Sequence, residues 1–282
     1  MILDIIISTY NKEKTIIDYY NKIEEELKNI KHRYIFVDDA STDKTLDALK
    51  NIYKKNESNI KIVSLSKHYG KDTSIYTGLL HTSHELMCII DTDLELNTKQ
   101  ITKMYDLFKN KDIDSACIYS NHKEKSFNKI KTQLINKIYN LNIDNNKTYF
   151  RMFRKNVKEA LINISNQYPF SNYSFNIIGF NTTYISYDIK KEEDNINIYI
   201  CYSEKPFNIL KSFNLILILL LFVYFVLSLL DVFRISNNIL LLILLIFNVI
   251  NIYLLYLTCE YFDKQKTYFT IKEKIGFEDN VL

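Results

Sequence analysis

The chain has 282 residues with 36 basic and 33 acidic side chains, a formal net charge of +3. That length holds one good-sized domain plus an appendage, and so small a charge does not imply a nucleic-acid partner, so none is expected. Hydrophobic residues make up 47% of the chain, unevenly spread, and the separated cysteines Cys88, Cys117, Cys201 and Cys259 form no C-x-x-C pair, so they are expected reduced and buried, as in a domain facing the cytosol.

The opening Met-Ile-Leu-Asp-Ile-Ile-Ile lacks a basic leader and is broken by Asp4. It reads as a strand over Ile2–Ile7, not a signal peptide. Residues 12–29 follow with helical spacing at Ile16, Tyr19 or Tyr20, Ile23, Leu27 and Ile30. Tyr34–Val37 is a second strand, and Asp43 is placed to cap a helix through about Tyr53. A third strand is expected over Ile60–Leu65, a third helix over 71–83 and a fourth strand over Leu86–Ile90. Residues 98–109 read as a helix and Ile113–Tyr119 as a fifth strand. Strands alternating with helices of this length predict a parallel, doubly wound α/β sheet.

Beyond residue 120 the pattern loosens. Residues 126–141 put Phe127, Ile130, Leu134, Ile138 and Leu141 on one helical face with Lys125, Lys129, Lys131 and Lys137 elsewhere around it. Such a basic amphipathic helix suits a membrane surface, and equally a helix packed on the domain. Thr148–Phe153 reads as a strand, 155–164 as a helix and Thr182–Tyr187 as a further strand.

From Phe213 to Leu230, and again from Ile235 to Cys259, no residue is charged. Each run supplies the roughly 20 residues that cross a bilayer. Only Asp231 and Arg234 carry charge in the short link, so a transmembrane helical hairpin is expected, with spans of 213–231 and 236–258. Lys205, Lys211, Lys264 and Lys266 flank the pair, which places both termini in the cytosol. The organisation is then a cytosolic domain over 1–204, an interfacial segment and two spans over 205–260, and a cytosolic tail over 261–282.

The chemistry concentrates at three strand ends: Ser8-Thr9-Tyr10-Asn11, Asp38-Asp39-Ala40-Ser41-Thr42-Asp43 and Asp91-Thr92-Asp93. Spaced i and i+2, Asp91 and Asp93 would share one face of a strand at the mouth of the sheet, where open α/β folds bind ligands. Two such carboxylates suit a hard cation holding phosphates, although alone the same pair also suits a solvated turn. His68 is a lone histidine and reads as packed or solvated.

These segments resemble the family 2 glycosyltransferases of GT-A fold, and among them the polyprenyl-phosphate sugar transferases of the dolichyl-phosphate mannose synthase and bactoprenol glucosyltransferase type. Ile5-Ile6-Ile7-Ser8-Thr9-Tyr10-Asn11-Lys12-Glu13 resembles V-V-I-P-x-Y-N-E-E, and Phe36 to Thr45 resembles V-D-D-G-S-x-D-x-T. Leu65-Ser66-Lys67-His68-Tyr69-Gly70-Lys71-Asp72 resembles L-S-R-N-F-G-K-E, and Asp91-Thr92-Asp93-Leu94-Glu95 resembles D-A-D-L-Q. The resemblance runs nearly end to end. It implies a Rossmann-like GT-A catalytic domain with a mostly parallel sheet, followed by the two-helix hairpin, in the bacterial inner membrane.

It further implies a donor, a UDP- or GDP-sugar, met by Thr9, Tyr10, Glu13, Asp38, Lys67, Lys71 and Asp91. Asp91 and Asp93 would hold Mg²⁺ or Mn²⁺ against the diphosphate, with Asp93, Arg151 and Lys129 as the catalytic set. The acceptor would be a polyprenyl phosphate of undecaprenyl type, attacked with inversion at the cytosolic face; a homo-oligomer packed through the spans is left open. Some positions depart from the pattern. Ser8 and Ala40 replace Pro and Gly. The stretch 120–125 has no arginine, leaving Lys123, Lys125 and Lys129 for charge. Tyr149 and Arg154 stand where T-G-D-F-R-L-M-D has aspartates, with Asp144 the nearest substitute. Two alternatives therefore stay open: a glycan or lipid hydroxyl acceptor, and a degenerate relative that binds without turnover.

Overall fold

A computed structural model of the chain describes residues 1–91, 98–110, 112–121, 126–139, 142–166, 169–187 and 269–277, with scattered positions between 212 and 253. The first half alternates strand and helix: β1 (Leu3–Thr9), α1 (Ile16–Leu27), β2 (His32–Asp38), α2 (Thr45–Lys55), β3 (Ile60–Leu65), α3 (Lys71–Leu80) and β4 (Leu86–Asp91). There follow α4 (Lys99–Asn110), β5 (Ser115–Ser120), α5 (Ser126–Tyr139), β6 (Lys147–Arg154), α6 (Lys155–Ser165), a one-turn α7 (Ser174–Ile177), β7 (Thr182–Tyr187) and β8 (Ile271–Ile275).

The strands form one sheet in the order β7-β5-β6-β4-β1-β2-β3-β8. β4, β1, β2 and β3 run parallel, as the alternation predicts, and β5 pairs parallel with β7. β6 enters between β4 and β5 antiparallel to both, and β8 caps the β3 edge antiparallel. The sheet is thus mostly rather than wholly parallel. The central strands are nearly continuous apolar runs because both faces are covered. Leu3, Ile5, Ile7, Tyr34 and Phe36 pack one face against Ile16, Ile23 and Leu27 of α1, Leu49 and Ile52 of α2, and Met104 of α4. Ile6, Met87, Ile89 and Phe153 face the other way, onto Ile75 and Leu79 of α3, Val157 and Leu161 of α6, and Phe175 of α7. The period-two alternation of the strands therefore sorts the core into two layers.

α3 lies tight on β1. A Cβ on Gly78 would fall 2.4 Å from Ile6 Cγ2, a branch that cannot swing away. A side chain there would push the helix off the sheet, and with it the N-terminal turn that the site uses. At the opposite edge, buried Asp4 accepts hydrogen bonds from Arg33 (2.9 Å) and from the amides of Ser83 and His84. That cluster ties the β4 approach to β1 well away from the strand ends that carry the motifs.

The expected hairpin over 213–231 and 236–258 and the interfacial segment before it lie almost entirely outside the described residues. Among the described residues no helix is long and apolar enough to cross a membrane. The described positions Phe213, Leu215, Ile216, Ile218, Leu219, Leu220, Val223, Val249, Ile252 and Tyr253 are helical and exposed.

Candidate functional site

The strand register puts the motifs side by side. Asp91, the last residue of β4, pairs with Ser8 of β1; Thr9 pairs with Asp38 of β2; Asp38 pairs with Ser64 of β3. Adjacent strands are about 4.8 Å apart, so the backbones at Asp91 and Asp38 stand roughly 10 Å from each other across β1. Asp93 lies outside the described residues, so of the pair only Asp91 is located.

Two loops leave this edge laced together. Asn11, at φ +52, accepts the Thr42 amide on its Oδ1 at 2.9 Å, while its own amide donates to Ser41 Oγ at 3.0 Å. The Lys12 amide donates to Thr45 Oγ1 at 2.7 Å. Glu13 and Asp43 cross-clasp: the Glu13 amide donates to Asp43 Oδ2, and Glu13 Oε2 accepts the Lys44 amide. Asp43 also accepts the Thr45 amide at 3.0 Å, which satisfies an orphan donor at the start of α2. Desolvation raises the Asp43 carboxyl, but hydrogen bonds from the Thr45 hydroxyl and amide outweigh it and leave the group below its ordinary range. Glu13, expected beside the donor, spends one carboxylate oxygen on this clasp.

Asp38 and Asp39 are both 1% exposed and do different work. Asp38 accepts the Ser64 hydroxyl at 3.1 Å and the Ser41 amide at 3.3 Å. Burial pushes its carboxyl up, opposed by those two serines. Thr9 is buried beside it, with its hydroxyl donating to the Val37 carbonyl at 3.2 Å. Asp39 reaches sideways: Oδ1 accepts the Tyr69 amide and Oδ2 the Gly70 amide, each at 2.8 Å. His68 Nδ1 stands 2.9 Å from the same Oδ2. Charge-assisted bonds of this kind are the strong ones, so Asp39 pins loop 66–70 to the end of β2. That role was invisible in sequence beyond the doubled aspartate.

Tyr10 stacks on His68 with ring centroids 4.0 Å apart. The stack joins the residue after β1 to the loop after β3, two strands that flank β2 in the sheet. Lys67 lies over the Tyr69 ring at 4.9 Å, and Lys71 is the first residue of α3, 6.0 Å from the Tyr149 ring.

The acceptor-side expectations separate in space. Continuing the β4–β6 register from Ile89↔Arg151 sets Tyr149 across from Asp91. The Tyr149 hydroxyl donates to Asp72 in the first turn of α3. A carboxylate therefore stands beside the position from which the family pattern's aspartate is missing. Asp144 instead accepts the Asn146 amide at 3.0 Å in the turn before β6. Arg154 pairs with Leu86 at the start of β4 and donates to the Ile113 carbonyl at 2.9 Å, so its departure from the pattern falls at the far edge of the sheet. Arg151 is 1% exposed, stacked on Phe175 at 3.9 Å and bonded to Asn172 at 3.2 Å, with Nε lacking a partner among the described residues. Lys129 is exposed on α5 beside exposed Ile130 and Leu134.

Residues 4–171 match the family model described as glycosyl transferase family 2. An uncharacterized glycosyltransferase of Synechocystis is 29% identical over 193 residues, covering 66% of this chain and 60% of that protein. The undecaprenyl-phosphate 4-deoxy-4-formamido-L-arabinose transferase of Pseudomonas fluorescens is 22% identical over 143 residues, 48% of this chain and 40% of that protein. The chain spans 58–60% of the length of the first curated relatives it matches. The crystal structure of glucosyl-3-phosphoglycerate synthase from Mycobacterium tuberculosis with Mn²⁺, UDP-glucose and phosphoglyceric acid superposes at a TM-score of 0.48 and 13% identity, covering 69% of this chain and 73% of that one.

Proposed function

We propose that this chain, which belongs to glycosyl transferase family 2, moves a sugar from a nucleoside diphosphate to a polyprenyl phosphate at a membrane surface. The observation that carries the reading is the register that sets the ends of β4, β1, β2 and β3 side by side, with Asp91 paired to Ser8 in one row and Thr9, Asp38 and Ser64 forming the next. A nucleotide sugar laid along that edge would have its base toward Asp38 and the Tyr10–His68 stack and its diphosphate toward Asp91. Tyr10, Lys67 and Lys71 border that path; Thr9 and Glu13 shape it from within the loops.

The carboxylates of Asp91 and Asp93 are hard oxygen donors of the kind Mg²⁺ or Mn²⁺ takes alongside phosphate oxygens. Such an ion, when bound, offsets the charge that builds on the departing nucleoside diphosphate. The protein's own part is to hold donor and acceptor in line. A lipid phosphate is already anionic at neutral pH, so it needs orientation more than a strong base. Lys71 is placed on the donor side of that task and Lys129 on the outer, exposed side. Arg151, buried under Phe175, would act by holding Asn172 and the floor of the site rather than by touching substrate.

A membrane setting is supported by the two charge-free runs of 213–230 and 235–259, by the exposed apolar helical positions within them, and by Ile130 and Leu134 beside Lys129. Basic and apolar groups together on one exposed helix suit an anionic lipid surface. On this reading both termini face the cytosol.

A hydroxyl acceptor is favoured by one observation, the Asp72 carboxylate held by Tyr149 across from Asp91. An alcohol would need such a group as base. The deciding experiment supplies labelled UDP- and GDP-sugars with Mn²⁺ to membranes carrying the full chain. Label extracted with polyprenyl phosphate supports the proposal; label found only in a hydroxyl-bearing glycolipid rejects it.

A further inference from the structure

We infer that Thr270, at the head of β8, is a positioning residue of the donor site: it fixes loop 66–70 from the side opposite Asp39. The inference rests on the function proposed above, since it takes that loop as the wall against which the nucleoside lies. Its evidence is independent of it and lies in the hydrogen bonds.

Ser66 and Tyr69 both converge on this one residue. The Ser66 amide donates to the Thr270 carbonyl at 2.9 Å, and the Thr270 amide donates to the Tyr69 phenol oxygen at 3.2 Å. The Thr270 hydroxyl lies 2.9 Å from the same phenol oxygen and bonds the Ser66 hydroxyl as well. Backbone and side chain of Thr270 thus hold both ends of the turn Ser66-Lys67-His68-Tyr69. From the other side the Asp39 carboxylate holds His68, Tyr69 and Gly70. A five-residue loop clamped on two sides has little freedom left, and the rings it presents, His68 against Tyr10 and Tyr69 under Lys67, are set by that clamp.

Thr270 is itself anchored. β8 pairs with β3 with a register shift at Ser64/Leu65, so the irregularity falls where β3 gives way to the loop. Bulges at such places re-aim side chains. Lys50 meets Glu273 at 2.8 Å, Phe269 packs edge-on to Tyr76, and Gly276 turns at φ +80 with the Ile60 carbonyl only 2.5 Å from where a Cβ would sit. Without β8, β3 would be an open edge. The chain that returns after the charge-free C-terminal runs therefore completes the sheet beside the nucleoside end of the site.

Contacts remote from the reacting carbon bind substrate and transition state alike, so losing one raises KM and spares kcat. The test uses the full chain in membranes and compares Thr270→Val, which keeps shape and loses the hydroxyl, with Thr270→Ser, which keeps it. Thr270→Val should raise the nucleotide-sugar KM about fivefold, because a loop freed at one clamp must be ordered on binding, with kcat unchanged and Thr270→Ser restoring the KM. An unchanged KM in Thr270→Val overturns the inference. So does a parallel fall of kcat and melting temperature in both variants, which would mark β8 as cover only. If the wild type itself binds no nucleotide sugar with Mn²⁺ by calorimetry, the proposed function fails and this inference with it; wild-type binding with an indifferent Thr270→Val removes the inference alone.

Discussion

The Tyr149 hydroxyl donates to the Asp72 carboxylate, joining the strand beside β4 to the first turn of α3. The bond brings an acid from a different element to the place where the family pattern carries one on the strand itself. Two acceptor chemistries make opposite demands on it. A lipid phosphate brings its own negative charge and needs no base, whereas a hydroxyl acceptor without a base loses on the order of 10²–10⁴ in rate.

Asp72→Asn separates them. It keeps an acceptor oxygen for Tyr149 and removes the basic carboxylate. With a phosphate acceptor, kcat should stay within about tenfold of wild type, below the loss expected of a missing general base. Single-turnover rates with labelled donor check this, and a thousandfold loss at unchanged melting temperature would favour the hydroxyl acceptor.

Ala40 sits at φ +55, a left-handed conformation that its Cβ disfavours and glycine accepts freely. The family pattern has glycine there, and the structure gives the reason. Ala40→Gly should stabilise the protein by up to about 1 kcal/mol, because relieved strain of 1–2 kcal/mol is partly offset by the freer unfolded chain. Urea unfolding in detergent reads the difference; a destabilised variant would contradict it.

Asp38 and Asp43 should titrate with opposite sign. Burial raises the Asp38 carboxyl above its ordinary 3.8, so the folded state holds that proton longer than the unfolded state. Its contribution to stability is full below pH 3.8 and is lost as pH rises through the higher folded value. For Asp43, desolvation is outweighed by hydrogen bonds from Thr45, and the folded value is lowered. Its contribution is present above pH 3.8 and is lost as pH falls through that lower value. Stability of wild type relative to Asp38→Asn should therefore drop with rising pH from that point, and relative to Asp43→Asn should drop with falling pH. Denaturation series from pH 3 to 7 test both; parallel curves for the two variants would refute the assignment.

Much of this was legible from the residues. The apolar runs placed β1 to β5 within a few residues, because strands buried on both faces leave a plain signal, whereas the edge strand β7 is half-buried and was legible from its alternation and its β-branched and aromatic residues. The direction of β6 was not, since pairing sense is a tertiary choice that Thr148–Phe153 does not encode locally. β8 was missed for a related reason. Ile271-Lys272-Glu273-Lys274-Ile275 carries three charges in five residues and reads as solvated tail. Its exposed lysines are what an edge strand uses to deter further pairing.

Within the site, residue types were readable and partners were not. Asn11, Glu13 and Asp43 are evident turn and cap formers, yet their clasp spans loops some thirty residues apart. Nothing in the doubled aspartate distinguishes Asp39 from Asp38, because its hold on loop 66–70 is made thirty residues away. Arg151, matched to the family pattern, is sealed against Phe175, while Arg154, a departure from it, lies at the opposite edge.

The proposed transfer needs Asp93 and a divalent ion acting on a nucleotide sugar beside a lipid phosphate. Its most direct test is transfer of labelled sugar to polyprenyl phosphate by the full chain in membranes, for wild type and Asp93→Ala, with Mn²⁺ and with EDTA. Wild type should form glycolipid only with the metal, and Asp93→Ala should lose at least about a hundredfold in rate, the scale of a lost electrostatic stabiliser, while melting as wild type does. Undiminished transfer by Asp93→Ala, or by wild type in EDTA, would contradict it.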